Sequence, residues 1–444
     1  KSIQDITPNK YLSFIDYFTT LTKSLESSFP FIYRHETRIH CMKKKLTTYI
    51  NQLSAILKPD VSYKPVLNKY RSRTCQYYAC IIAIAVGLML GCTKPVHTSR
   101  ALYIKGDLVL GYQPKSNLVL KQSTPDKPKY PVIDVHTHFS SDVSPTFLIE
   151  KMDALGIRTI INLSGGYGAK LDLMLEKFSR YDPNRFIIFC NLDFSKIDNP
   201  DFSEQMVTFL SAAHAKGAKG LKIFKNLGLT LKDKTGQIVA IDDARLDPVW
   251  DKAGELGMPV LIHTADPVAF FKPADRFNER LMQLKRHPDW SFYGAEFPKR
   301  ETIIAQRNRV IARHPDTIFI GAHVGNSAED LTALGKLLES CPNLYVDVAG
   351  RVAELGRQPY TAREFFIKYQ DRVLFGTDRY PGKSIQPRYK IYYRFLQTQD
   401  EYFDYYDHPF PPTGEWKIYG VFLPDEVLEK IYFKNAERLL GLRK

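Results

Sequence analysis

From Pro131 onward the chain repeats one pattern. Short apolar runs recur at 132–138, 157–163, 186–190, 218–224, 259–263, 317–323, 344–348 and 373–378. They are brief, almost uniformly hydrophobic and bounded by polar or glycine-containing segments, which predicts buried parallel strands. Between them lie stretches with helical spacing of apolar residues, among them 203–216, 245–256, 301–313 and 328–339. Strands alternating with helices in this way predict an α/β fold, a (β/α)8 TIM barrel, with residues 131–444 as a single domain. A doubly wound open sheet is the rival topology, but it would more naturally begin with a glycine-rich phosphate loop after its first strand, and none stands there. The run Gly165-Gly166-Tyr167-Gly168 after the second strand lacks that spacing and reads as turn chemistry.

The longest connections follow strands four, five and eight, at 225–244, 264–299 and after Arg379. In a barrel such connections lie on the face where sites are built, so they predict the walls of one. The segment Pro424–Leu440 opens on proline and two acidic residues, carries Val427, Leu428, Ile431, Tyr432 and Leu439 at helical spacing, and is followed by Gly441. It predicts a closing helix.

Upstream the pattern is different. Residues 1–73 show no sustained period and predict a leader or poorly ordered extension. Residues 74–92 carry no charge, follow Lys69, Arg71 and Arg73, and end in Met89-Leu90-Gly91-Cys92. A basic flank, a short apolar segment and a terminal small residue with cysteine resemble a bacterial lipoprotein signal. That resemblance implies export, lipidation at Cys92 and membrane anchoring on the periplasmic or cell-surface side. An uncleaved membrane anchor is the alternative, of marginal length for a span. Residues 93–130, rich in Lys, Pro, Ser and Thr, predict an extended tether.

Charge sharpens this division. The net charge is +14, yet residues 1–130 hold 20 Lys and Arg against 7 Asp and Glu, leaving 42 against 41 for the remainder. A nearly neutral globular part argues against nucleic acid as a partner. Six scattered cysteines do not make a disulfide scaffold, and Cys190 and Cys341 sit in or beside apolar runs as buried thiols.

Candidate chemistry gathers at strand ends. His136 and His138 end the first strand in Val-His-Thr-His, spaced so that both side chains face one side. His263 ends the fifth strand, His323 the sixth and Asp378 the eighth. His214, His287, His314 and His408 lie within a helix or before prolines and read as structural or solvated. Neutral imidazoles with a carboxylate suit Zn2+ or a similar divalent ion, which lowers the pKa of water and polarises a substrate oxygen. A further imidazole off the metal could move a proton.

H-x-H on strand one, His on strands five and six and Asp on strand eight, in register over residues 131–444, resemble the amidohydrolase superfamily, and within it the type 2 branch that contains aminocarboxymuconate semialdehyde decarboxylase. The resemblance implies that His136, His138, His263 and Asp378 bind one divalent metal, usually zinc although Mn2+ or another ion would also serve. It also implies that His323 lies beside the bound water as base or electrostatic helper, so that His323 with Asp378 would handle the proton. Lys222 lies where two-metal members carry a carboxylated bridging lysine. With one metal, Lys222 or Lys225 would instead pair with a substrate carboxylate or with an inward acid such as Asp134. Arg276, Trp290, Tyr293 and Arg351, with Asp266 and Phe292, are candidates to hold an anionic or ring-bearing small molecule, against the alternative of a self-packed loop.

These features predict a metal-dependent hydrolase of an amide, ester or lactone bond in a small, carboxylate-bearing substrate. Non-oxidative decarboxylation of an unsaturated or aromatic acid is the first alternative, and a lipid-anchored binding protein without turnover is the second. The sequence leaves the oligomeric state open, a dimer included.

Overall fold

The computed structural model describes residues 116–379, 385–407 and 411–442. The leader, the signal segment with Cys92 and tether residues 93–115 lie outside the described residues. No helix among those described is long and apolar enough to cross a membrane.

Each predicted strand is present. They are β1 (Val132–Thr137), β2 (Ile157–Asn162), β3 (Phe186–Ile188), β4 (Cys190–Asn191), β5 (Leu221–Ile223), β6 (Val260–Ile262), β7 (Phe319–Gly321), β8 (Leu344–Asp347) and β9 (Val373–Leu374). All pair in parallel, β1 to β2 to β3 and β4 through β9 in sequence. Strand three is interrupted at Phe189, so β3 and β4 are two pieces of one run, and Phe189 N still donates to Asn162 O at 3.0 Å. The ring closes where Val135 N donates to Phe375 O, Asp378 N donates to His136 O at 2.8 Å, and Thr137 bridges Arg379 in parallel. Closure removes the open-sheet rival.

Alternation along the strands separates two cores. Val132, Ile160, Ile188, Leu221, Ile223, Val260, Ile262 and Val346 pack with the helices. The intervening Ile133, Val135, Ile161, Ile187, Leu261, Ile320 and Leu374 form a separate cluster inside the barrel. Lys222, flanked by Leu221 and Ile223 of the outer set, therefore points inward.

The predicted helices appear at Phe202–Lys216, Asp247–Glu255, Arg300–Arg313 and Leu331–Ser340. The closing segment is helical from Asp425, with a π turn at Lys430–Lys434. There Phe375 N donates to Ile431 O, and Asn435 Nδ2 donates to Gln370 O and Val373 O. Phe433, Ala436 and Leu439 join the interior cluster.

The end of the predicted tether is not a free spacer. Residues 116–130 have no regular structure but are tied down: Ser123 N donates to Asp400 Oδ2 at 2.6 Å, Lys129 N to Gln397 Oε1 at 2.7 Å, and Lys129 pairs with Asp425. Gln122 and Asp126 meet Arg394 and Lys390 of the helix Ile385–Gln397. The proline-rich composition indicated extension, and extension is what lets this arm run along the helix.

Candidate functional site

His136, His138, His263, His323 and Asp378 meet at the C-terminal ends of β1, β6, β7 and β9. One ligand atom from each of His136, His323 and Asp378 falls within a 4.8 Å cluster, the one such group among the described residues. His136 Nε2 lies 3.4 Å and His138 Nε2 3.5 Å from Asp378 Oδ1, and His323 Nε2 lies 4.0 Å from Asp378 Oδ2. His263 is in ring contact with His323, centroids 4.4 Å apart, but its Nε2 faces Asp266 at 3.6 Å.

The backbone bends to make this cluster. His323 and Val324 at the end of β7, Asp378 beyond β9 and Ala265 beyond β6 all have φ between 54° and 59°. Left-handed backbone at a non-glycine residue costs roughly 1–2 kcal/mol, and such strain persists only where the surroundings enforce it. Asp347 at the end of β8 does much of that. Its Oδ1 accepts from His323 N at 2.9 Å and from Ala349 N at 3.0 Å, while Oδ2 lies 2.9 Å from His136 Nδ1. At Gly376 an added Cβ would stand 3.0 Å from the Cβ of His136, tighter than nearly all such contacts, so a larger residue would press on the His136 backbone.

Three of the four imidazoles are oriented through Nδ1. His136 Nδ1 donates to Asp347, His323 Nδ1 donates to Ala349 O at 2.7 Å, and His138 Nδ1 is 2.7 Å from Ser164 Oγ. Nε2 is then left with its lone pair toward Asp378. Burial lowers the pKa of His138 to about 3 and of His263 to about 4, and pulls His323 well below its ordinary value. Burial also opposes protonation of His136, but the Asp347 carboxylate, helped by Asp378, offsets it and its pKa ends raised. Enclosure would raise Asp378, yet His136, His323 and His138 hold it well below the usual carboxylate range.

These residues fit a divalent cation. His136 Nε2 and His263 Nε2 are buried without a hydrogen-bond partner, a costly arrangement for bare imidazoles and the expected one for ligands. The Asp347–His136 contact is the carboxylate–histidine arrangement that orients a metal ligand.

An amidohydrolase family model matches residues 125–442. The chain belongs to the amidohydrolase family. Members of that family are metal-dependent enzymes, in accord with the donor set here. No curated protein matches this amidohydrolase by sequence. It is similar to an uncharacterised TIM-barrel protein from Bordetella bronchiseptica, at 16% identity over 70% of this chain and 99% of that one, with TM-score 0.44. It is similar also to a 2,6-dihydroxybenzoate decarboxylase from Rhizobium, at 17% identity over 70% and 99%, TM-score 0.43. A dihydroxybenzoic acid decarboxylase from Polaromonas sp. JS666 with bound manganese matches at 14% identity over 71% and 98%, TM-score 0.46.

Above His263, His323 and Asp378 opens a cavity of about 490 Å³. Of the predicted substrate residues, Arg351 and Trp290 line it, with Trp290 stacked on His287 at 4.1 Å between centroids. Arg276 and Tyr293 do not. Arg276 lies over the ring of exposed Phe277, and Tyr293 is 58% exposed, because the loop after β6 folds on its own short helices Val268–Phe271 and Leu281–Arg286. Neither predicted lysine pairs with Asp134, whose carboxylate is taken by His136 N, Thr377 N and Oγ1 and the Tyr389 hydroxyl. Lys225 pairs instead with Asp266 at 2.5 Å. Lys222 is buried and its Nζ has no hydrogen-bond partner; burial draws its pKa down to about 8 against the pull of Asp347 and Asp378.

Sequence reasoning passed over three cavity or site residues. Asp347 ends an apolar run as Asp378 does, and the same strand-end rule would have found it. Arg280, buried against Glu354, and Arg388 line the cavity from segments whose sequence carries no period that points there.

Proposed function

We propose that this amidohydrolase holds a single divalent ion, zinc by preference, and hydrolyses an amide, ester or lactone bond of a small carboxylate-bearing molecule. The observation that carries the reading is the set of imidazoles around Asp378, three of them held neutral by burial, beneath a cavity with excess positive charge. His136, His138, His263 and Asp378 would hold the ion, which when bound lowers the pKa of water and polarises a carbonyl. Arg351 donates to Gly350 O and to Asn326 Oδ1 and has no carboxylate partner among the described residues, and neither has Arg388. Their guanidinium groups supply bidentate donors for a substrate carboxylate. His323, pinned through Nδ1, accepts or returns a proton at Nε2, and Asp378 steadies the protonated ring.

The test is product analysis over a panel of amides, esters, lactones and unsaturated or aromatic acids with the zinc-loaded protein in 18O-labelled water. Incorporation of one labelled oxygen into a product acid supports hydrolysis. Carbon dioxide release without addition of water would replace it with decarboxylation. We propose further that the enzyme is exported and lipid-anchored through Cys92. Cys92→Ser should release it from membranes, and persistent retention would point to an uncleaved anchor.

A further inference from the structure

The barrel mouth holds a second cavity, of about 580 Å³, on its other half. The first cavity is walled by residues that follow β6 to β9. The second is walled by Tyr167 after β2, Leu192 and Phe194 after β4, and Lys222 and Phe224 at the end of β5. The two share no lining residue and meet at the segment 222–226. The candidate metal centre stands at that partition. His263, His323 and Asp378 line the first cavity, while the His138 ring lies 5.9 Å from the ring of Phe224 in the second.

The two lobes differ in chemistry. The first concentrates guanidinium groups. The second exposes aromatic faces: Tyr167 is 45% and Phe224 38% exposed. The Nζ of Lys222 lies 5.5 Å from the centroid of the Phe224 ring, in a side chain that is 1% exposed and without a hydrogen-bond partner. A buried donor left open costs free energy unless a ligand supplies its acceptor. Aromatic walls with one such donor suit a flat ring that carries an oxygen acceptor.

We propose that the substrate is two-ended, with its carboxylate in the cationic lobe and a ring-bearing half in the lobe of Tyr167, Phe224 and Lys222, so that the bond to be cleaved lies at the partition. This rests on the hydrolase reading for the bond and on the two lobes for the ends. Binding in the second lobe spends energy away from the reacting atoms on orienting them.

Titration calorimetry on the zinc-loaded full chain, with product formation followed in parallel, tests it with three probes: N-benzoylglycine, which has both ends, N-acetylglycine, which has the acid end alone, and benzamide, which has the ring alone. N-benzoylglycine should bind roughly tenfold or more tightly than N-acetylglycine. Phe224→Ala and Tyr167→Ala, truncations of exposed rings, should each erase most of that advantage while leaving N-acetylglycine and the metal content unchanged. Arg351→Met should weaken both acids and leave benzamide unchanged. Equal binding of the two acids, no measurable binding of N-benzoylglycine, or an advantage that survives both ring truncations would overturn the two-ended substrate. A ring-dependent gain without hydrolysis of any amide, ester or lactone would leave the lobes standing and remove the hydrolase reading.

Discussion

Asp347 Oδ2 lies 2.9 Å from His136 Nδ1, and both groups are buried. This contact fixes the tautomer that turns Nε2 of His136 toward Asp378. The other oxygen of the same carboxylate holds His323 N, so one residue orients two imidazoles from different strands. Asp347→Asn keeps an acceptor for His323 N but removes the charge and sets an amide donor against His136 Nδ1. Metal affinity should fall roughly 10–100-fold, as measured by competition with a chelator. Unchanged affinity would show that His136 is not a ligand oriented by Asp347.

The roles of His263 and His323 separate in metal content. His263→Ala should lose stoichiometric zinc. His323→Asn, which suits the left-handed backbone there, should retain zinc and lose roughly 10²–10⁴-fold in kcat. Since His323 rather than His263 belongs to the tight cluster with His136 and Asp378, the opposite pattern of metal contents would exchange the two roles.

Stability of the metal-stripped protein should fall as pH falls below about 6.5. His138 and His263 have folded pKa values of about 3 and about 4 against an ordinary 6.5, so the unfolded chain takes up protons that the folded chain refuses. Their contribution is present above 6.5 and is lost on the way down, at about 1.4 kcal/mol per pH unit per proton. Asp134 acts in the opposite sense, because burial raises it to about 6 and the folded state protonates first. His323, also held well below its ordinary value, adds to the loss, and His136, raised beside Asp347, opposes it. Three lowered histidines against His136 and Asp134 leave a net loss, read as a lower Tm at about pH 5 than at about pH 7; a higher Tm at the lower pH would contradict it.

Tyr389 reaches from the helix Ile385–Gln397 to Asp134, and both are fully buried. Tyr389→Phe removes a donor from a buried carboxylate and should cost about 1–3 kcal/mol in denaturant unfolding, with the metal retained. A neutral substitution would mean that Thr377 and His136 N satisfy Asp134 unaided.

The barrel was legible in the sequence because buried parallel strands are nearly continuous apolar runs, and the histidines stood out because strand ends are where polar residues interrupt them. Asp347 fits the same rule, ending the run 344–346 as Asp378 ends the last strand. The long loop after β6 defeated reasoning by proximity. Trp290 reaches the cavity and Tyr293 does not, since short helices within the loop decide which side chains turn inward and those helices carry too few residues for a period. The pairing of Lys225 with Asp266 and the docking of residues 116–130 on a helix far along the chain depend on three-dimensional neighbours that local composition does not encode. The two-lobed mouth likewise arises from distant loops brought side by side.

The central claim is a metal centre at the ends of β1, β6, β7 and β9, and diffraction from crystals of the zinc-loaded protein on both sides of the zinc absorption edge tests it most directly. The account predicts one anomalous peak per chain, within bonding distance of His136, His138, His263 and Asp378. No peak there, or a peak held by other residues, would contradict it.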